Sequence, residues 1–356
     1  MMQKLLKNEW TTFAGALLAS ILTWVLISTH ANSVLTFVVS AVALATLAMV
    51  VGHATEQLGK YLGPGATGIL QAAVGNLPEL FVGFFALQAG LVKVVQSALV
   101  GSILANTLLV LGLAFFFGGR KNGTQQFHSE TPRAMVILMV LAVSAMAMPT
   151  LAHSLHTPAS AHEIPLSIAG AVVLLLLFFA SIPFSLQGGP MAEAAPPAEQ
   201  EDVRWPLPRV ISTLAIAGAS AAFVSDWFVE ALEPATESLG ISQAFAGLVL
   251  VAIAGNAVEN IVGIRLAIKN KVDYAISIIL NSSLQIALAL TPILVLLSFF
   301  FTANVLTLVL PPLLVVALAL TAILSALIVY DGESNWLEGL ALIGLYLLIA
   351  TSFWWG

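Results

Sequence analysis

Long apolar runs, each close to the thickness of a bilayer, dominate this chain and leave it few ways to fold. A bilayer core takes about 20 apolar residues per helix. Runs of that order recur near 11–28, 34–58, 66–90, 94–117, 132–151, 164–186, 207–232, 241–268, 272–300, 304–329 and 337–355, which predicts about eleven transmembrane helices. Unbroken runs, rather than ten-residue alternation, argue for helices and against a barrel. Only 8% of the 356 residues are charged and 59% are hydrophobic, whereas a soluble domain carries about 25% charged residues. The expected class is therefore an all-α integral membrane protein with the lipid bilayer as its solvent. The net charge of −6 sits in loops and a few special sites, and no nucleic-acid partner is expected. With no cysteine, disulfides and thiolate metal sites are excluded. The first run reads as a retained span, because no small-residue cleavage site clearly follows it.

Positive charge orients the bundle. With the N-terminus inside, Lys4, Lys7, Lys60, Arg120, Lys121, Arg133, Arg204, Arg209, Arg265, Lys269 and Lys271 fall on or near the cytoplasmic side, and of the 12 basic residues only Lys93 falls outside. The expected topology is N-terminus cytoplasmic and C-terminus outside, in a plasma (inner) membrane. The stretch QGGPMAEAAPPAEQEDVRWP (187–206), rich in Pro, Ala and acid, reads as a cytoplasmic linker. It separates an N-terminal helix (1–30) and a first five-helix unit (31–186) from a second five-helix unit (207–356).

The two units share a motif. In LQAAVGNLPELFVGFFALQAG (70–90), Gly75, Asn76, Pro78 and Glu79 interrupt an apolar run; LVLVAIAGNAVENIVGIRLAIKN (248–270) repeats the interruption. A shift of 180 residues lays Gly75, Asn76 and Glu79 on Gly255, Asn256 and Glu259 without a gap, and Ser97 and Ser102 on Ser277 and Ser282. Upstream, ATEQLG (54–59) echoes ATESLG (235–240). In the topology above, the two motif helices run in opposite directions. Spans two to six and seven to eleven then form two inverted repeats, a transporter signature that places the site where the repeats meet.

Glu79 and Glu259 lie near the middle of their runs, where an ionisable group is costly and usually functional. Asn76 and Asn256 precede them by three residues and share their helix face. Bringing the repeats together gathers two carboxylates and two amide oxygens around one point. Pro78 lacks an N–H, so the Val74 carbonyl loses its helical partner; the second motif has Val258 there. The readings open for Pro78 are a cavity-lining carbonyl and a simple kink. Facing helices offer Ser97, Ser102 and Asn106, and Ser282, Ser283 and Gln285. Such groups serve as ligands or as packing glue, with Asn106 and Gln285 the stronger candidates. Oxygen-only ligands favour a hard cation, and calcium tolerates an irregular oxygen shell. The absence of cysteine and of a midplane histidine pair argues against zinc or copper. Two carboxylates held together in low dielectric cannot both stay bare and charged. Calcium or protons must neutralise them, which makes each crossing an exchange, with at least two protons expected per calcium.

The stretches GNLPELFVGFFALQAGLVKVVQSALVGSILANTLLVLG and GNAVENIVGIRLAIKNKVDYAISIILNSSLQIALALTPILVLLS resemble the two alpha repeats of the calcium/proton exchanger (CAX) branch of the calcium/cation antiporter superfamily. The resemblance covers nearly the whole chain after the first span. It implies ten helices in two inverted halves plus an N-terminal helix, and export of cytosolic calcium driven by protons. It also implies that Glu79 and Glu259 are the central glutamates, that Asn76 and Asn256 are their partners, and that Glu56 matches the family's glutamate on the preceding helix. Calcium and protons are the transported species and no cofactor is expected; a homo-oligomer is left open. The chain departs from the family at Leu77 and Pro78, at Asn260 where His is common, and at Asn281 where Gly is common. The alternatives are a sodium-coupled exchanger, which typically carries Thr-Ser hydroxyls and extra acids near the glutamates, and a cation channel. A membrane enzyme is disfavoured by the lack of H-E-x-x-H and of any deep Ser–His pairing.

Other polar residues carry two readings each. Glu56, Glu230 and Glu237, with His53 and Glu233, form an acidic vestibule that concentrates cations, or merely solvated helix ends. Asp226 reads as deeper and suited to a proton relay. His153, His156 and His162, with Glu163, form an outer-loop metal site or a wet loop. Glu193, Glu199, Glu201 and Asp202 form a regulatory patch or a disordered linker.

Overall fold

The computed structural model describes residues 9–62, 74–186, 205–301 and 303–356, so most of the 187–206 linker, with its four acids, lies outside the described residues. The helices are α1 (Glu9–Ser28), α2 (Ser33–Leu62), α3 (Leu77–Gln88), α4 (Val92–Asn122), α5 (Glu130–Ser154), α6 (Glu163–Leu186), α7 (Leu207–Leu239), α8 (Gln243–Gly255), α9 (Ala257–Ile268), α10 (Val272–Phe301), α11 (Pro312–Ile328) and α12 (Trp336–Ser352). Seven of them (α1, α2, α4 to α7 and α10) are long and apolar enough to cross a membrane. The bent pair α8–α9 reaches that length together, with 64° between its halves, while α3, α11 and α12 are shorter apolar helices. The outer faces are greasy: α1 exposes Leu17, Leu18, Ile21, Leu22 and Trp24. An apolar patch of that extent on a helix suits lipid rather than water.

The motif-bearing runs do not continue as straight helices. Asn76 (φ −93°, ψ 17°) and Asn256 (φ −92°, ψ 22°) leave the helical region in almost the same way, and α3 and α9 each begin one residue later. Pro78 falls in the first turn of α3, where a missing N–H costs nothing because it would be an orphan anyway. Pro78 therefore starts a helix after a break; it does not kink an intact one. Among the described residues, π-helical turns lie nearby at Ala105–Val110 within α4, Ala246–Val251 within α8 and Ile286–Leu290 within α10. In the last of these, the Thr291 hydroxyl donates to the carbonyl of Ile286, five residues back.

Small residues let the central backbones touch. Gly101 of α4 lies against the main chain of Leu248, and Gly247 of α8 lies against the carbonyl of Val94; a methyl group on either glycine would overlap its neighbour. Outside this centre, α2 and α7 pack along each other, with Phe37 stacked on Phe228 at 4.8 Å.

One span differs from expectation. The run 304–329 is helical only from Pro312, because the Pro311–Pro312 pair forces extended backbone ahead of it. Residues 305–310 alternate inward, burying Leu306, Leu308 and Leu310. Their N–H groups donate to Ser298 Oγ (2.9 Å), Ser167 Oγ (3.0 Å) and Thr150 Oγ1 (2.8 Å). Gln96 Nε2 donates to the carbonyls of Thr307 and Val309, both at 3.0 Å. Side chains from four helices thus supply what a neighbouring strand would. At the other end of the bundle, a two-residue ribbon pairs Gln125–Gln126 with Glu333–Ser334. The Lys121, Asn122 and Gln125 side chains donate to the last carbonyls of α9, at Ala267 and Ile268, and satisfy groups a helix end leaves open.

Candidate cation-binding site

The breaks at Asn76 and Asn256 put two helix N-termini near the centre of the bundle. Glu79 sits in the first turn of α3, where the positive end of the helix dipole favours a carboxylate. Its side chain reaches across to the second motif. A methyl group on Gly255 would fall 2.7 Å from Glu79 Cγ and 3.2 Å from Oε1. Gly255 is thus glycine because the opposing glutamate occupies the space a side chain would need. The backbone of Glu259 is the third residue of α9; its side chain lies outside the described residues.

Buried amides and hydroxyls surround this contact. Asn76 Nδ2 donates to Gln285 Oε1 at 3.2 Å. Asn106 Nδ2 donates to Ser282 Oγ at 3.0 Å and to Asn256 Oδ1 at 3.3 Å. Asn256 Nδ2 donates to Ser102 Oγ at 3.0 Å and back to the carbonyl of Ala252 at 2.9 Å. Ser282 Oγ completes the ring at 3.3 Å from Asn256 Oδ1. The Asn256 oxygen, expected to face a cation, accepts from Asn106 and Ser282 in this structure. Among the described residues, the buried amide oxygen of Asn106 finds no hydrogen-bond partner. Asn106 lies on the π turn of α4, and Gln285 immediately precedes the π turn of α10. Ser283 donates to the carbonyl of Ile279 in its own helix.

A cavity runs up to Glu79 between α2, α3, α4, α7, α8 and α10, with walls that include Leu44, Val82, Leu99, Phe228, Leu290 and Leu294. Among the described residues, Glu79 and Ser102 are the polar side chains lining it. An ion at this depth would lose its water against apolar walls and recover oxygen ligands at the end.

The other candidates do not join this centre. Glu56 lies on the far part of α2, exposed, with His53 Nδ1 3.9 Å from its carboxylate. Glu230 and Glu237 are exposed on α7, and none of the three lines the cavity. Asp226, expected deeper, is exposed on the same helix. His153 pairs with Glu163, but among the described residues no three His, Asp or Glu side chains form a metal-holding group, so the outer-loop histidines do not make one. Sequence reasoning passed over Gln96 and the hydroxyls that hold 305–310. Their signal was the alternation V-L-T-L-V-L before a Pro–Pro pair, a strand pattern inside an apolar run.

Broken helices with a buried carboxylate and amides at the break define a membrane cation exchanger. The sodium/calcium exchanger protein family matches residues 32–187 and 210–355, and the chain belongs to it. It is 34% identical to the "Ca(2+)/H(+) antiporter" of Aphanothece halophytica, over 97% of each chain. To the "Ca(2+)/H(+) antiporter ChaA" of Bacillus subtilis (strain 168) it is 36% identical, over 91% of this chain and 93% of the relative. The solved structure of native YfkE is similar with a TM-score of 0.82 at 32% identity, covering 96% of this chain and 99% of that one. Within the family, the chain falls in the calcium/proton exchanger (CAX) branch.

Proposed function

We propose that this chain is a secondary active antiporter that exports cytosolic calcium in exchange for protons, by alternating access. The observation that carries the reading is the contact of the Glu79 side chain with Gly255. It joins one G-N-x-x-E motif to the other at the centre of an apolar bundle. Glu79 and Glu259 bind calcium or protons in turn. Asn76, Asn256, Asn106 and Gln285 fix the geometry and supply neutral oxygens, and Ser102 and Ser282 hold the amides in place. Calcium leaves when protons take over the carboxylates, and an empty site bearing two charges does not cross.

The architecture in this reading is eleven spans: an N-terminal helix in 1–30 and inverted five-helix repeats in 31–186 and 207–356, joined by the acidic linker 187–206. Adding the bent pair and the three shorter apolar helices to the seven long ones supports that number. So does α12, whose 17 residues rise roughly 26 Å at 1.5 Å per residue, with exposed Trp336 at its start and exposed Trp354–Trp355 just past its end. That is the spacing of the aromatic belts on a bilayer core. The basic residues argue for a cytoplasmic N-terminus, an external C-terminus and a plasma (inner) membrane. Glu56, Glu230 and Glu237 act as cation-gathering mouths.

Calcium flux into proteoliposomes, with an imposed pH gradient and with or without sodium, tests the proposal. Flux that follows the pH gradient and ignores sodium is expected. Flux that requires sodium, or that runs without any counter-ion gradient, overturns it.

A further inference from the structure

Trp205 lies at the end of the linker, just ahead of α7, yet it is buried, with 3% of its surface exposed. Three helices converge on it. The Phe13 ring of α1 lies 5.9 Å from the indole and the His53 ring of α2 meets it edge-on at 5.0 Å. The Arg209 guanidinium of α7 lies over its face at 4.0 Å. The main chain is held as well: its N–H donates to the buried Gln57 Oε1 at 3.1 Å, and its carbonyl accepts from the Tyr61 hydroxyl. At the opposite end of the same helix pair, Phe37 stacks on Phe228. Between these two ties α2 contributes Leu44 to the cavity wall at Glu79, and Phe228 of α7, itself part of the second tie, contributes to the same wall.

We propose that Trp205 is a positioning residue that ties α1, α2 and α7 into one rigid unit, which carries one wall of the Glu79 cavity as a single body during exchange. The proposal rests on the antiporter reading above. The Gln57 and Tyr61 bonds go to main-chain atoms and survive substitution by alanine or phenylalanine at 205. The ring contacts with Phe13, His53 and Arg209 do not. Trp205→Ala therefore loosens the unit without touching the cation ligands. The maximal exchange rate falls about tenfold or more, while half-saturating calcium stays within about twofold, the pattern of a lost conformational step rather than lost binding. Trp205→Phe, which keeps an aromatic face for all three partners, recovers most of the rate.

Cross-linking separates a tie from a mere fold requirement. The chain has no cysteine, so His53→Cys and Arg209→Cys supply the only two thiols, on either side of the indole. In the Trp205→Ala background, a short bis-thiosulfonate reagent bridging them restores the rate, and reduction removes it again. With Trp205 present, the bridge stands in for the His53 and Arg209 contacts that the cysteines remove and does not slow exchange relative to the same protein unbridged, because the helices it joins do not part. Wild-type rates in Trp205→Ala, no rescue on bridging, or arrest of exchange by the bridge in the Trp205-containing protein would each overturn the proposal. The last arm decides even if the alanine variant fails to insert. Proteoliposomes of the unmodified protein, run alongside, show separately whether calcium/proton exchange itself holds.

Discussion

At the scale of single residues, the glutamates and the glycine facing them carry the sharpest expectations. Glu79→Gln and Glu259→Gln each keep the side-chain volume and remove both the charge that binds calcium and the group that carries a proton. Each abolishes exchange while leaving membrane insertion intact, measured as flux in proteoliposomes beside yield in detergent. Gly255→Ala gives a subtler outcome. The added methyl meets the Glu79 side chain at Cγ rather than backbone, so that side chain must turn from its root and the carboxylate shifts. Half-saturating calcium rises by about tenfold, equivalent to about 1.4 kcal/mol of lost ligand geometry. The motif's Asn and Glu stand out in the sequence as candidate site residues by their recurrence. The reason for its Gly does not, because that reason is a contact between residues 176 positions apart. Nor could spacing tell which amide oxygen is already engaged: Asn256 and Asn106 look alike until their hydrogen bonds are traced.

Elements were legible where hydrophobic length decides them. The helices α1, α2, α4 to α7 and α10 cover the apolar runs expected for them, since a bilayer-length run has little choice but to be helical. Where polar side chains satisfy the backbone from outside, that logic fails, and the 304–311 stretch shows it. Ser298 is eight residues from Leu306, but Ser167, Thr150 and Gln96 lie more than 140 positions from the groups they bond, so no local window reveals that extended backbone is tolerated there. Thr150 both donates to the Leu308 carbonyl and accepts from the Leu310 N–H. Thr150→Val fills the same space and leaves both groups buried without that partner. The expected cost is about 1–3 kcal/mol of stability, read as a lower thermal midpoint in detergent with half-saturating calcium unchanged. The breaks at Asn76 and Asn256 were half legible. A Gly-Asn pair in an apolar run announces irregular backbone, but the change of direction belongs to packing.

For the whole molecule, protons and calcium compete for the same carboxylates. Raising the pH tightens apparent calcium binding until both glutamates are ionised, and has no effect beyond that. The sign follows from the charge: a protonated carboxyl does not bind calcium, so every proton removed favours the ion. Each displaced proton contributes up to about tenfold in affinity per pH unit, and two displaced protons give a limiting log–log slope of about two. Calorimetric titration of purified protein across several pH values measures the slope, and sodium leaves it unchanged. A pH-independent affinity would contradict a shared site.

The halves of the site are not twins, and this has a kinetic consequence. Asn106 corresponds to Ile286 in the second half, Gln285 to Ala105 in the first, and Pro78 to Val258. A carrier built from two identical inverted halves would spend equal time open to either side. Here one break is bridged by Asn76 and Gln285, and the other is enclosed by Asn106, Ser102 and Ser282. Exchanging one set of bonds for the other on reorientation cannot be energetically neutral. Each 1.4 kcal/mol of imbalance parks the proton-loaded carrier on its preferred side about tenfold more often. The gradient at which exchange comes to rest is untouched, since that is set by the ions alone. The approach to it differs by direction: calcium offered to the favoured face meets waiting sites, and calcium offered to the other waits for the carrier to turn, so the molecule behaves as a leaky rectifier.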